Sequence, residues 1–392
     1  MFKILTLNNI AVAGLRRLPR EHYEVGSEIT SPDAVLLRSH NMHEMEIPES
    51  VAAIGRAGAG VNNIPVQALS DRGVPVFNAP GANANAVKEL VIAALLLAAR
   101  NICDAQSYVR GLTASGDAMS KAVESGKKQF VGFELPGRTL GVIGLGATGV
   151  QVANAALSLG MKVVGFDPQI TVRRAWQLSS GVEQVDTLDR LFKKSDAVSV
   201  HVPLVDETRN LVNRDRLALM PENGVLINFA RGGIVNNEAA LQALDSGRLT
   251  AYVCDFPTPE LIAHPRVVAL PHLGASTAEA EANCAVMVAD NVRDYLENGN
   301  IRFSVNFPEA LMPRGDSYRI TVANANVPNM VGQISTCLAG AGLNIADLLN
   351  KSLGGLAYTV ADLDGPVSTA TLADLRGIDG VLALRNLGKP LS

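Results

Sequence analysis

The sequence predicts an α/β protein built on a doubly wound parallel sheet, with a smaller α/β block ahead of it and an α+β module after it. Three observations carry this. Short apolar runs of strand length alternate with helical stretches over most of the 392 residues. One such run ends in a glycine-rich turn at residues 144–149, and the next ends in an acidic residue, Asp167. Beyond Pro308, Pro313 and Gly315 the rhythm changes to strand, helix, strand, strand, helix, strand.

The first block opens with a strand over 3–7. Apolar runs at 34–37, 51–54 and 74–77 follow, each bounded by turn residues, and a long helix over 86–101 closes the block. A second series begins at Arg138, with strands over 139–143, 162–166, 197–202, 225–229, 251–254 and 267–270 and helices such as 150–159 and 237–244. Residues 111–137 read as a loop carrying Lys121, Lys127 and Lys128. In 278–296 apolar residues recur at helical spacing (Ala282, Ala285, Val286, Ala289, Val292, Leu296) with no strand ahead of them. This helix is read as returning to the first block. The expected division is therefore 1–97 with 278–306, 98–277, a linker at 307–316, and a module at 317–392.

Composition excludes several classes. Hydrophobic residues are 47% and charged residues 18%, which is globular. Thirty-four basic against 38 acidic residues leave −4, so nothing argues for nucleic-acid binding. The apolar run 90–99 is half a membrane span and reads as a buried helix, not a membrane segment. The amino terminus lacks the basic and long apolar stretches of an export signal. Cys103, Cys254, Cys284 and Cys337 stand far apart, which fits neither a metal site nor a disulfide framework and suits the reducing cytoplasm.

The turn at 144–149 is strand, glycine loop, helix. Gly144 permits the tight turn, Gly146 admits a pyrophosphate to the backbone, and Gly149 lets the helix pack on the strand, with Ala147 and Thr148 between them. Asp167 stands where a carboxylate accepts hydrogen bonds from adenosine ribose hydroxyls. This is the Rossmann arrangement. The carboxylate favours NAD over NADP, although Arg173 and Arg174 follow closely.

Three groups lie just past predicted strand ends: Asn228-Phe229-Ala230-Arg231-Gly232-Gly233, Asp255-Phe256-Pro257-Thr258-Pro259-Glu260, and Pro271-His272-Leu273-Gly274. In an open parallel sheet that edge binds ligands. A guanidinium from Arg231 suits the carboxylate of a 2-oxo acid, and the His272 imidazole suits proton exchange with its carbonyl oxygen. The Glu260 carboxylate suits stabilisation of the imidazolium. This is a set for hydride chemistry.

Through residues 55–64 (Gly-Arg-Ala-Gly-Ala-Gly-Val-Asn-Asn-Ile), the Gly144 turn, residues 228–235 and residues 271–277, the chain resembles the D-isomer-specific 2-hydroxyacid dehydrogenases, most of all the D-3-phosphoglycerate dehydrogenases. The resemblance implies Arg231 as substrate clamp, His272 as acid/base and Glu260 as its partner. It places Asp255 near the nicotinamide, and Ala147, Thr148, Phe229, Ala230 and Gly274 along the cofactor. Glu260 keeps a spacing of 29 from Arg231, while the 12 residues on to His272 imply a trimmed loop. In the first block, backbone amides at Ala59 and Gly60 suit the substrate carboxylate. The resemblance adds Asn83 at the active site and Arg38-Ser39 on a phosphate, with Lys127 and Lys128 as further phosphate candidates.

The last module resembles an ACT domain through residues 324–328 and 340–345. In serine-regulated members a His and two Asn bind the effector; Asn326 and Asn344 keep the spacing of the two asparagines, and Asn324 replaces the histidine. The resemblance therefore implies NAD-dependent oxidation of D-3-phosphoglycerate to 3-phosphooxypyruvate, the first step towards serine, in a homodimer or homotetramer. Two alternatives stand beside it: a glyoxylate or hydroxypyruvate reductase, and a catalytically silent NAD-sensing binding protein.

Overall fold

The computed structural model describes residues 1–390. By compactness the chain divides into a first unit, residues 1–83 with the chain from 278 onward, and a second unit, residues 84–277.

The first unit begins β1 (Phe2–Leu7), α1 (Val12–Leu15), β2 (Tyr23–Gly26), β3 (Ala34–Leu37), β4 (Ala53–Arg56), α2 (Val66–Asp71) and β5 (Val76–Phe77). The strands form a parallel sheet in the order β2-β1-β3-β4-β5. Every side chain of β3 is buried, as an inner strand covered on both faces requires. β2 escapes the sequence reading because it is a short edge strand with a glutamate in it, and β4 starts at Ala53, later than the apolar run at 51–54 suggests.

The second unit holds α3 (Ala84–Ala99), α4 (Ile102–Arg110), α5 (Gly116–Gly126), β6 (Thr139–Ile143), α6 (Ala147–Ser158), β7 (Lys162–Phe166), α7 (Val172–Ala175) and β8 (Val182–Gln184). It continues α8 (Leu188–Lys194), β9 (Ala197–Val200), α9 (Arg214–Ala218), β10 (Gly224–Asn228), α10 (Asn237–Asp245), β11 (Leu249–Cys254), α11 (Pro259–Ala263) and β12 (Val267–Ala269). The sheet order is β12-β11-β10-β9-β6-β7-β8, all parallel, and the chain reverses direction across the sheet between β6 and β9. That is the doubly wound topology, with one strand more than the six expected. The extra strand, β8, has mostly exposed polar residues and so lacks an apolar run. The segment read as a loop contains α5. The division falls after residue 83, ahead of the 97 expected, because Val87, Val91 and Leu95 of α3 pack in one core with Val150, Val152 and Ala153 of α6.

Returning to the first unit, α12 (Ala278–Asn298) is followed by β13 (Tyr318–Ala325), α13 (Met330–Gly340), β14 (Ile345–Leu353), β15 (Leu356–Leu363), α14 (Thr369–Arg376) and β16 (Val381–Gly388). The four strands form an antiparallel sheet in the order β14-β15-β13-β16. Val288, Val292 and Leu296 of α12 cover the first sheet, sharing a core with Ile4, Leu36 and Phe77. At the crossing of α1, a Cβ on Gly14 would come within 2.6 Å of the Ala285 Cβ, so the two helices meet backbone to backbone.

The C-terminal module is fastened to the far end of α12. Arg319, fully buried, forms a bidentate pair with Asp362 (Nε to Oδ1 2.6 Å, Nη2 to Oδ2 2.8 Å). Its Nη1 donates to the carbonyls of Asn298 and Met312, and its Nη2 to that of Pro313, so all five guanidinium protons are used. Arg385 donates to the carbonyls of Tyr295 and Leu296 in the last turn of the helix, the first of which also accepts the N–H of Gly299. The Tyr358 hydroxyl donates to the carbonyl of Gly299. No helix among the described residues is long and apolar enough to cross a membrane.

Candidate active site

In the second unit one row of residues in register runs across the sheet: Phe166, Ile143, Val200, Asn228, Cys254, Ala269. Parallel strands then release their next residues along a single edge. Asp167, Gly144, His201, Phe229 and Asp255 stand there in order, with the loops to Arg231, Glu260 and His272 just beyond.

Gly144 has φ +89°, and a Cβ on it would lie 2.6 Å from the carbonyl oxygen of His201. Gly149 faces the Gly144 carbonyl so closely that any Cβ would overlap it, whereas Gly146 looks into open space. Gly146 also caps α6 without a side chain, so no side chain takes up the first-turn N–H groups. Asp167 Oδ2 accepts the N–H of Leu145 at 2.8 Å and Oδ1 that of Gln169 at 2.9 Å, which ties the strand-end carboxylate to the glycine loop. A backbone cradle that excludes side chains, uncapped helix amides and a carboxylate at the next strand end together fit a dinucleotide. Beside this loop, burial pushes the His201 imidazole down to about 4, and its Nε2 lies 2.8 Å from Ser199 Oγ.

Asp255, 1% exposed, accepts the N–H of Leu273 at Oδ1 (2.9 Å) and of Gly274 at Oδ2 (2.8 Å). His272, directly before these two amides, has φ +57°. Its exposed ring lies 5.0 Å from that of Phe256. A Cβ on Gly232 would touch Phe256 at 3.4 Å, so the loop carrying Arg231 adjoins the same aromatic ring. Sequence reasoning missed Phe256 as the piece between Arg231 and His272; its place after Asp255 was the available signal. The Arg231 guanidinium donates to the carbonyl of Ala230, and the Asn228 amide to that of Arg231.

Glu260 lies in the first turn of α11. Its own main-chain N–H holds its carboxyl below the usual value. Among the described residues no hydrogen bond joins Glu260 to His272, so the expected pair is not made in this structure.

The substrate candidates lie in the first unit, at the C-terminal ends of β3, β4 and β5. Leu37 of β3 pairs with Arg56 of β4, which puts Arg38-Ser39 beside the loop 57–60. Ala59 accepts from the Asn78 amide at 2.7 Å, and Gly58 from the N–H of Ala79 at 2.9 Å, joining this loop to the one that leads to Asn83. Arg56 folds over Gly58, and its Nε donates to the carbonyl of Arg38. Arg38 itself pairs with Glu281 of α12, Nη1 to Oε1 2.6 Å. Lys127 pairs with its neighbour Glu124. In the C-terminal module Asn324 and Asn326 line a cavity of about 150 Å³ with Asn329 and Asn350; the Asn324 Oδ1 is buried without a partner. Asn344 is outside that cavity, its N–H bound to Asp364.

A doubly wound sheet with a phosphate-binding turn at its reversal point, and Arg, Glu and His loops on the same edge, defines a nicotinamide-dependent dehydrogenase. Residues 92–274 match the model of the D-isomer specific 2-hydroxyacid dehydrogenase NAD binding domain. The chain is 33% identical over 381 residues to D-3-phosphoglycerate dehydrogenase of Methanocaldococcus jannaschii, covering 93% of this chain and 69% of that one. It is 34% identical over 364 residues to the enzyme of the same name from Haemophilus influenzae, covering 89% and 85%. The NAD+-bound crystal structure of 3-phosphoglycerate dehydrogenase from Entamoeba histolytica superimposes with a TM-score of 0.61 at 28% identity, over 78% of this chain and 98% of that one. The protein belongs to the D-isomer-specific 2-hydroxyacid dehydrogenases, and its cofactor is NAD.

Proposed function

We propose that this dehydrogenase oxidises D-3-phosphoglycerate to 3-phosphooxypyruvate. Supporting the chemistry is the row in register whose strands lead, along one edge, into the loops that carry Arg231, Asp255, Glu260 and His272. The relatives' activity supports the substrate. NAD held at the dinucleotide loop would supply the acceptor for the hydride from C2 of the substrate. Arg231 holds the substrate carboxylate through its fork of donors and polarises the forming carbonyl. His272 takes the hydroxyl proton as the C–H bond breaks and returns it in the reverse direction. Glu260 stabilises the resulting imidazolium, and Asp255 fixes the His272 loop beside the nicotinamide. Gly144, Gly146, Ala147, Thr148 and Gly149 would hold the pyrophosphate of NAD, and Phe229, Ala230 and Gly274 would help to hold its nicotinamide end.

Ala59 and Gly60 present amides to the substrate, Asn83 borders it, and Arg38-Ser39 take its phosphate, with residues 1–83 and 278–306 acting as the substrate domain. The module 317–392 acts as an ACT-like sensor that binds serine through Asn324 and Asn326, with Asn344 joining from outside the cavity, in a cytoplasmic homodimer or homotetramer. A glyoxylate or hydroxypyruvate reductase is the second reading, favoured by the pairing of Arg38 with Glu281. The test is NADH formation across a panel of D-2-hydroxy acids with NAD and NADP, run with and without serine. D-3-phosphoglycerate with NAD should give the highest kcat/KM. Turnover confined to unphosphorylated acids would overturn the reading.

A further inference from the structure

The Arg38–Glu281 pair sits where the proposed function places the substrate's phosphate, and the inference below rests on that placement. Arg38 is a fixed point: its carbonyl accepts from Arg56 Nε (3.0 Å) and Asn63 Nδ2 (3.3 Å). Its guanidinium is directed at Glu281, and the side chains remain 35% and 41% exposed, so an arriving anion can reach the pair. Glu281 is fixed as well. It stands in the first turn of α12, where the helix dipole favours a carboxylate whether or not Arg38 is engaged. The helix cannot readily withdraw, because α1 packs on it at Ala285, Val288 and Val292 lie on the first sheet, and Arg385 and Arg319 bind its far end. One turn along, Cys284 is buried, and its thiol is pushed up first by that burial, with Arg56 and Arg38 opposing the rise and Glu281 adding to it.

We propose that Glu281 is a specificity-determining residue: its carboxylate is a resident counter-ion that competes with the substrate phosphate for Arg38, so the enzyme discriminates weakly between phosphorylated and unphosphorylated hydroxy acids. A phosphate that engages Arg38 draws the guanidinium from Glu281 and comes to rest beside a second anion. The like-charge contact opposes binding of a dianion far more than that of a neutral hydroxymethyl group.

The experiment measures kcat/KM for D-3-phosphoglycerate and D-glycerate with NAD in the wild type, Glu281→Gln and Glu279→Gln. Glu279 is an exposed carboxylate in the same first turn and controls for overall charge. The ratio of the two kcat/KM values should rise about tenfold in Glu281→Gln and stay within about twofold in Glu279→Gln. Glu281→Ala, which also frees Arg38, should move it the same way. A ratio unchanged or lowered in both Glu281 variants, or moved equally by Glu279→Gln, would overturn the inference. Turnover of D-3-phosphoglycerate by Glu281→Gln alone would uphold the inference and overturn the proposed function; turnover by neither protein would overturn both.

Discussion

Asp255 and Gly274 are joined by a hydrogen bond of 2.8 Å, main-chain N–H to Oδ2, while the other carboxylate oxygen holds the N–H of Leu273. The two bonds grip the chain immediately after His272 and keep that residue in the left-handed region, which a β-carbon-bearing side chain occupies only when its surroundings impose it. In Asp255→Asn an amide nitrogen replaces one acceptor and faces an N–H. Loss of a charged hydrogen bond costs about 1.5–3 kcal/mol, so kcat should fall roughly 10- to 100-fold. His272→Ala, which removes the proposed acid/base, should lower kcat by about two to four decades. Stopped-flow measurement of hydride transfer checks both, with NADH fluorescence titration to show that cofactor binding survives. An Asp255→Asn enzyme with wild-type kcat would show that His272 holds its place unaided.

Gly149→Ala tests the cradle. The added Cβ has no room before the Gly144 carbonyl, so either the loop or the start of α6 must move. KM for NAD should rise at least about tenfold, while far-UV circular dichroism stays near wild type, because the clash is local. A normal KM would mean that the turn does not receive the pyrophosphate.

Much of this was readable in the sequence, and the limits have physical causes. Buried parallel strands such as β3 and β10 announce themselves as unbroken apolar runs, and the glycine loop between β6 and α6 is written in consecutive residues. β2 and β8 were missed because an edge strand is half solvated and carries no such run. The acidic partner of Arg38 was out of reach for another reason: Glu281 lies far along the chain, and only the return of α12 to the first sheet brings them within 2.6 Å. Arg319 reads as an ordinary strand-end charge until folding supplies Asp362 and three carbonyls.

That buried pair gives a stability prediction. Arg319→Met leaves Asp362 in a nearly closed site with its charge uncompensated, and it frees the carbonyls of Asn298, Met312 and Pro313. Removing one partner of a buried ion pair costs about 3–5 kcal/mol. Urea unfolding should show a loss of that size in the first unit, and limited proteolysis should cut earliest near the 307–316 segment. Arg319→Met with Asp362→Leu should recover part of the loss, since no buried charge is then left alone. Equal stability of the single variant and the wild type would show that the pair is solvated.

His201 makes stability depend on pH. Its imidazole is pushed by burial from the ordinary 6.5 down to about 4, so between these values the unfolded chain binds a proton that the folded chain refuses. The sign follows: the contribution is intact above pH 6.5, declines as pH falls, and is fully lost below about 4. The slope for one proton is about 1.4 kcal/mol per pH unit. Comparison of the wild type with His201→Gln separates this group from the carboxylates, which titrate in both proteins. Between pH 7 and pH 5 the wild type should lose about 2 kcal/mol more than the variant in urea unfolding. Because the His201 carbonyl abuts Gly144, NADH should protect the wild type against acid by stabilising the folded loop. Parallel pH curves for the two proteins would show that the imidazole is already protonated in the fold, or open to water.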